Sequence, residues 1–217
     1  MTQLRTQPRT QEQRSTATKQ VLLEAARDAI LELGYAGATS AEIAKRANVS
    51  RGALMHHYAN KQQLMLAVAD YIWSDVEREV TEISHELSAD SGDVDKFIFN
   101  LADRVFSPRN FHPILELVTA ARHDCELHNT LAKRWERLID TYDNVWRNVL
   151  SRSEFGSKDS RHFLIMTLNL LRGMAFQNTV MKDDPKMIRA QLKAWSAIVQ
   201  RLMRSEVGSK PESGSAT

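Results

Sequence analysis

Cysteine is nearly missing from this sequence. The chain has 217 residues and a single cysteine, Cys125. A single thiol cannot form an intrachain disulfide or a zinc site of several cysteines, so neither of these features stabilises the fold. The chain must bury a core instead. Its 42% apolar and 26% charged residues are typical of a globular protein of one or two domains.

Long apolar runs and helix breakers are also scarce. No stretch reaches the roughly 18 apolar residues of a membrane span, and the N-terminal segment is polar and basic, unlike a secretory leader. These features predict a cytoplasmic protein. Only five prolines and eight glycines interrupt the chain. Between them apolar residues recur at intervals of three and four, which predicts an all-α fold.

Positive charge is concentrated in the first part of the chain. The net charge is only +2, but residues 1–61 contain nine lysines and arginines against five acidic residues. A small basic segment joined to a nearly neutral body is typical of a protein that binds nucleic acid. Charge alone does not distinguish nucleic acid from other polyanions.

The apolar pattern divides the chain into four parts. Residues 1–17 are rich in Thr, Gln and Arg and are predicted to form a disordered basic arm. Residues 18–62 carry three helices, and a longer linking helix begins at residue 61. Residues 63–206 supply the other helices of a bundle, for about nine in total by their apolar periodicity. Residues 207–217 are predicted to form a disordered tail.

Two short helices predicted at 40–47 and 51–58 follow a supporting helix that Gly34 ends. Short helices joined by a tight turn form a helix-turn-helix, which places its second helix in the major groove of DNA. Side chains in the first turns of that helix reach base edges, and a glycine there lets the backbone approach closely. The residues at this position are Ser50, Arg51, Gly52 and Ala53.

The run from Thr39 to Leu64 resembles the DNA-binding signature of the TetR family of bacterial regulators. The resemblance covers about residues 18–70, and its matching positions share the spacing of the family. They are a hydroxyl at Thr39, Ile43-Ala44, Val49-Ser50, Gly52 with Leu54, His57, and Asn60-Lys61. This implies an N-terminal three-helix helix-turn-helix domain followed by a C-terminal helical domain for ligand binding and dimerisation.

The resemblance also implies which residues meet DNA. Phosphate contacts fall on Thr39, His57 and Lys61, and base contacts fall on Ser50, Arg51, Ala53 and His56. Met55 stands where the family usually has Tyr, so that contact is either lost or replaced by an apolar contact with a thymine methyl. The whole expected set is Thr39, Ser40, Ser50, Arg51, Gly52, Ala53, Met55, His56, His57, Tyr58 and Lys61.

Past residue 90 the resemblance is architectural. It implies a homodimer that pairs through its last two helices, binds a palindromic operator in double-stranded DNA as a repressor, and is released by a small molecule. Polar or aromatic residues in or beside apolar helices are candidates to contact that effector: Arg104, Arg122, His123, Trp146, Arg172, Phe176 and Asn178. For each of them, exposure, ion pairing or core packing is the competing interpretation.

Other functions leave weaker traces in the sequence. There is no G-x-S-x-G, H-E-x-x-H, P-loop or dinucleotide motif, so neither an enzyme nor a cofactor is predicted. Residues 123–128 contain His, Asp, Cys and Glu, but no further segment supplies evident ligands, and no metal site is predicted. A DNA-binding regulator controlled by a protein partner instead of a small molecule remains the alternative.

Overall fold

The computed structural model describes residues 10–88, 94–150, 157–181 and 184–205, and in this part of the chain it contains nine α-helices and no strand. The predicted all-α fold is confirmed. A π-helical turn, Leu101–Val105, directly follows the fifth helix. The helices are α1 (Gln11–Gly37), α2 (Ser40–Arg46), α3 (Arg51–His57), α4 (Lys61–Ser88), α5 (Val94–Asn100), α6 (Pro108–Ala121), α7 (Cys125–Leu150), α8 (Ser157–Met181) and α9 (Pro185–Ser205).

These helices form two compact units. The first unit extends to Ile72 and includes Pro113–Leu131, whereas the second contains Trp73–His112 and the chain from Ala132 onward. Helix α4 therefore contributes to both units. The sequence pattern marks a boundary at residue 62, one residue after the linking helix begins, and gives no sign that Pro113–Leu131 joins the first unit. The division at residue 62 stays a prediction about function.

The structure corrects the extent of the N-terminal arm. Residues 1–9 lie outside the described residues, but the chain is helical from Gln11 onward. The Thr10 side chain accepts a hydrogen bond from the Gln13 N–H, and the Gln13 carboxamide accepts one from the Thr10 N–H. This reciprocal capping box starts a helix in a segment whose low apolar content indicates disorder. The predicted tail, 207–217, lies outside the described residues.

Helix α1 contains a break at Gly34, where φ is 71° and ψ is 172°. This combination of angles is almost confined to glycine, because a Cβ would clash with the backbone. The next N–H, of Tyr35, donates to Glu116 Oε2 at 2.8 Å. The predicted end of the first helix at Gly34 coincides with this break, and Glu116 satisfies the amide that follows it.

Each unit has an apolar core of its own. Burial of these side chains is the main term that stabilises the helices against one another. In the first unit the buried residues include Leu22, Ala26, Ile30, Ile43, Leu54 and Leu64. In the second unit they include Trp73, Ile83, Phe97, Trp146, Leu164 and Val199.

Candidate nucleic-acid interface and interior cavity

Helices α2 and α3 are joined by a tight turn around Asn48. Asn48 has a φ of 52°, a left-handed conformation that asparagine tolerates better than most residues. The Val49 N–H donates to the carbonyl of Ala44 at 3.0 Å and closes the turn. The predicted helix-turn-helix is present, and its helices end one residue earlier than the sequence pattern predicts.

Both short helices begin at a hydroxyl residue. The Thr39 side chain accepts from the Glu42 N–H at 3.2 Å, and the Ser50 side chain accepts from the Ala53 N–H at 3.1 Å. These N-caps stabilise their helices by about 1 kcal/mol each. Thr39 and Ser50 are both exposed, and an accepting hydroxyl keeps its own hydrogen to donate. Each cap therefore offers a donor to DNA.

Helix α3 separates its residues into an exposed face and a buried face. Arg51, Gly52, Met55 and His56 are exposed, with Met55 at 49%, whereas Leu54 is 1% exposed and packs inward. A Cβ added at Gly52 would find only the Ser50 hydroxyl oxygen, 3.9 Å away. On the exposed face, the Arg51 guanidinium, a group of several hydrogen-bond donors, therefore lies beside the accessible backbone at Gly52.

Tyr58 is the member of the predicted DNA-binding set that the structure buries. It is 8% exposed, and burial raises the pKa of its phenol. Its side chain contributes to the core of the first unit, where an aromatic ring stabilises the end of α3. Tyr58 is therefore left out of the DNA contacts proposed below.

His57 is half-buried at the end of α3. Partial burial lowers the pKa of His57, and the positive charges of His56 and Lys19 lower it further. The influence of Lys19 shows that α1 brings a lysine to this end of the recognition helix. The sequence gives no local signal for Lys19, because only the packing of α1 against the short helices brings it near His57.

Lys61 is engaged at the start of α4. Its Nζ donates to the carbonyl of Tyr35 at 3.0 Å and lies 4.9 Å from the centroid of the Tyr35 ring. Partial burial lowers the pKa of this ammonium group. Its Nζ also donates to the carbonyl of Ala36 at 3.5 Å, so Lys61 fixes the chain that follows the Gly34 break and keeps one N–H for a phosphate. The sequence gives no signal that Lys61 also binds the Tyr35 carbonyl.

Arg46 ties α2 to α1. Its Nε donates to Glu42 Oε1 and its Nη1 lies near Glu32 Oε2, both at 2.8 Å. Each pair is partly exposed and contributes little to stability by itself. Together they hold the orientation of α2, on which the position of α3 depends.

The second unit contains a partly open cavity of about 210 Å³ lined by the π-helical turn, the residues that follow it, α8 and α9. Of the predicted effector-contacting residues, only Asn178 lines it. The full lining is Ala102, Asp103, Phe106, Ser107, Pro108, Leu171, Met174, Ala175, Asn178, Ile188 and Leu192.

The other candidate effector residues are placed elsewhere. Arg104 lies within 2.9 Å of three glutamates of α4. Trp146 is fully buried, with its ring 5.4 Å from that of Phe97. The Arg172 guanidinium lies 4.4 Å from the centroid of the Trp135 ring, and burial lowers the pKa of Arg172. Phe176 is 54% exposed.

Arg122 and His123 belong to the first unit. Both are exposed at the junction of α6 and α7. His123 lines an open cleft of about 680 Å³ together with Tyr35, Lys61 and Cys125. Among the described residues, no three His, Cys, Asp or Glu side chains are grouped so that they could hold a metal ion. Helical pattern alone did not indicate that these two residues lie outside the second unit.

Within the described ranges, none of the helices combines the length and the apolar character needed to cross a membrane.

Comparison with known proteins bears on this geometry. Residues 22–68 match the family model of the bacterial regulatory proteins, tetR family. The chain is 30% identical over 186 residues to the HTH-type transcriptional regulator CymR of Pseudomonas putida, covering 84% of this chain and 90% of that protein. It is 43% identical over 54 residues to the transcriptional repressor AcnR of Corynebacterium glutamicum, covering 25% of this chain and 29% of that one.

A solved structure shares the fold. The crystal structure of a transcriptional regulator from Rhodococcus sp. Rha1 superposes with a TM-score of 0.69 at 19% identity, covering 84% of this chain and 96% of that one. The helix-turn-helix and its exposed α3 face define a DNA-binding regulator of transcription, which is not an enzyme. More specifically, the chain belongs to the TetR family of bacterial transcriptional regulators.

Proposed function

We propose that this protein is a homodimeric repressor whose two copies of α3 read a palindromic operator and whose second unit binds a small molecule that releases the DNA. The observation that carries the proposal is the exposed face of α3, where Arg51 stands beside open backbone at Gly52. Arginine is the side chain best suited to bind guanine in the major groove, through two parallel hydrogen bonds.

Phosphate contacts complete the proposed DNA interface. Phosphates are contacted by the exposed cap hydroxyl of Thr39, by His57 at the end of α3 and by Lys61 at the start of α4, whereas the Ser50 hydroxyl lies near the bases. Such contacts fix the orientation of α3 without reading sequence. Lys19 adds positive charge near His57. Ser40, Ala53, Met55 and His56 complete the set that lies on or next to this face.

The proposed homodimer rests on the last two helices. Apolar side chains of α8 and α9 are between 49% and 73% exposed in the single chain. Exposed apolar patches of this kind mark interfaces, and a two-fold axis lets one patch cover its own copy. The residues concerned are Met166, Phe176, Val180 and Met181 on α8, and Met187 and Ile198 on α9.

A repressor is supported by the relative AcnR, whose name describes a transcriptional repressor. Control by a small molecule is supported by the cavity of about 210 Å³ in the second unit. In the part of the chain that the structure describes, we assign the exposed apolar side chains of α8 and α9 to the second copy, which leaves less support for the competing proposal of control by a protein partner. The two helix-turn-helix motifs of one dimer would bind half-sites separated by about one helical turn of DNA, or by a multiple of it.

The experiment that tests this function is an electrophoretic mobility shift on the DNA that flanks the protein's own gene. The assay is titrated with salt and then with a panel of small molecules. A specific complex that weakens steeply with salt and is released by one class of compound supports the proposal. A specific complex that no compound disturbs supports the partner-controlled alternative, and the lack of any specific complex contradicts the proposed repressor.

A further inference from the structure

The backbone leaves the α-helical register at Leu101–Val105. The Phe106 N–H donates to the carbonyl of Leu101, five residues earlier, at 2.9 Å. A π-helical turn of this kind is rare and is frequently found at functional sites. Its end is stabilised by side chains, since the Arg104 carbonyl accepts from the Ser107 hydroxyl at 3.0 Å and from the Asn110 amide at 2.8 Å.

One side of the π-helical turn forms a wall of the cavity. Ala102, Asp103 and Phe106 face Met174 and the other lining residues of α8 and α9 across it. The lining is mostly apolar, and its polar groups are Asp103, Ser107 and Asn178. An apolar lining with a few polar groups is typical of sites for small organic molecules.

The size and charge of the cavity define the class of molecule it takes. An apolar cavity of about 150 Å³ holds benzene in another protein, so about 210 Å³ accommodates one substituted ring or an aliphatic molecule of similar size. The Asp103 carboxylate accepts from Arg189 Nη2 at 2.8 Å, which already balances its charge. Because Arg189 is already paired with Asp103 and the described lining contains no Lys or Arg, an organic anion would be left without a cation to balance it, and a neutral molecule with a hydroxyl or amide donor is favoured.

The other side of the same turn holds α4. Arg104 Nε lies 2.7 Å from Glu79, Nη2 lies 2.9 Å from Glu82, and Nη1 lies 2.8 Å from Glu86. The three carboxylates recur at intervals of three and four and so share one face of the helix. One guanidinium thus binds three successive positions of α4, the helix that begins at Lys61 in the first unit.

We propose that the cavity beside the π-helical turn is the effector site, that it takes an uncharged molecule of about one substituted ring with a single hydrogen-bond donor, and that Arg104 transmits its occupancy to α4. The proposal rests on the proposed function, because it names the site and ligand class of the same regulator. Binding against Asp103 and Phe106 displaces the turn, and the displacement reaches α4 through the three ion pairs.

The binding part is tested by titrating the full-length protein with benzyl alcohol and with benzoate in NMR spectra. Benzyl alcohol is expected to bind more tightly than benzoate. Two variants fill the cavity, Ala175→Phe from α8 and Ala102→Leu from the π-helical turn. Each is expected to lower the affinity for benzyl alcohol at least about tenfold. Ala132→Phe, on the exposed surface of α7, is the matched control and leaves binding unchanged.

Asp103→Asn tests the charge argument separately, and it is expected to raise the affinity for benzoate. Thermal melts identify any variant that fails to fold. Because the two filling variants alter opposite walls of the cavity, one of them still tests the site if the other does not fold. If the wild type binds neither probe, or if both filling variants bind benzyl alcohol as the wild type does, the proposed site is wrong.

The transmission part is tested with Arg104→Gln and Arg104→Lys. Arg104→Gln is expected to bind benzyl alcohol as the wild type does while the probe no longer changes its operator affinity, and Arg104→Lys is expected to restore part of the coupling. A purely structural role would change thermal stability and leave the coupling intact, and that result overturns the transmission. A wild-type protein that binds no specific DNA contradicts the proposed function, whereas release that persists in both filling variants contradicts only this site.

Discussion

The Lys61 ammonium donates to the carbonyl of Tyr35 at 3.0 Å, which links the first residue of α4 to the chain just beyond the Gly34 break of α1. Glu116 accepts from the N–H of the same residue, Tyr35, at 2.8 Å. Both polar groups of one peptide segment are therefore satisfied by side chains from distant parts of the first unit. This arrangement fixes the end of α1, on which α2 and α3 are placed.

Replacing Lys61 by Met tests this double role. The free energy of unfolding is expected to fall by about 1 to 2 kcal/mol, because the Tyr35 carbonyl loses a charged donor. The affinities for operator and for non-specific DNA are expected to fall together. The slope of log affinity against log salt concentration is expected to become smaller in magnitude by about one. Denaturant unfolding and fluorescence anisotropy measure the two effects. Lys133→Met, at an exposed site of α7, is the control, and equal behaviour of the two variants contradicts this role for Lys61.

Gly52→Ala separates DNA binding from folding. The protein leaves open space around the new methyl group, since its nearest neighbour is 3.9 Å away. Stability is expected to stay the same or rise by up to about 1 kcal/mol, because alanine favours the helix. Operator affinity is expected to fall, because the methyl group keeps the backbone from approaching the DNA. Wild-type affinity in this variant would show that the start of α3 does not approach DNA closely.

Gly34→Ala is expected to destabilise the first unit by about 1 to 3 kcal/mol. The backbone there has a φ of 71°, and an added Cβ would lie 3.1 Å from Glu116 Oε2. Gly173→Ala is the matched control, because its Cβ meets nothing within 4 Å and its backbone is helical. Denaturant midpoints are expected to move in opposite directions for the two variants. A shift of the same sign and size would mean that Gly34 is not conformationally required.

His57 is expected to make folding sensitive to pH. Its pKa in the folded protein lies below the ordinary value of about 6.5, because of partial burial and the nearby His56 and Lys19. The unfolded chain therefore binds a proton more readily, and the free energy of unfolding falls as pH drops below about 6.5. His57→Gln is expected to flatten this dependence, whereas His56→Gln, which removes only a smaller cause of the lowered pKa, is expected to reduce it in part. Denaturant titrations between about pH 7 and pH 5 compare the three proteins.

Local patterns predicted much of this fold. The helix-turn-helix follows from apolar spacing, the turn at Asn48 and the hydroxyl caps Thr39 and Ser50, all of which act over a few residues. The start of α1 carried an equally local signal, the Thr10 and Gln13 capping box, which composition obscured. The structure begins α6 at Pro108, where a proline in the first turn needs no donor.

Long-range packing decided what the sequence did not predict. Arg104 was a candidate to bind an effector, but its partners are three glutamates of α4, and no local rule says which face of α4 meets the π-helical turn. Tyr58 shows the same limit on a smaller scale, because its position in the motif did not reveal that it is buried. The candidate effector residues are scattered for this reason, whereas Arg51, Gly52, Met55 and His56, which the resemblance predicts to face DNA, are exposed on α3.

The most direct test of the central claim, that α3 reads DNA sequence through Arg51, is the anisotropy of labelled operator and scrambled DNA with wild type, Arg51→Ala and Arg137→Ala. Arg137 is exposed on α7 and controls for the loss of one charge. Arg51→Ala is expected to lose about 1 to 3 kcal/mol of binding free energy for the operator and far less for scrambled DNA. The difference in affinity between the two DNAs therefore becomes smaller. Equal operator affinity in all three proteins, or equal losses on both DNAs, would contradict the account.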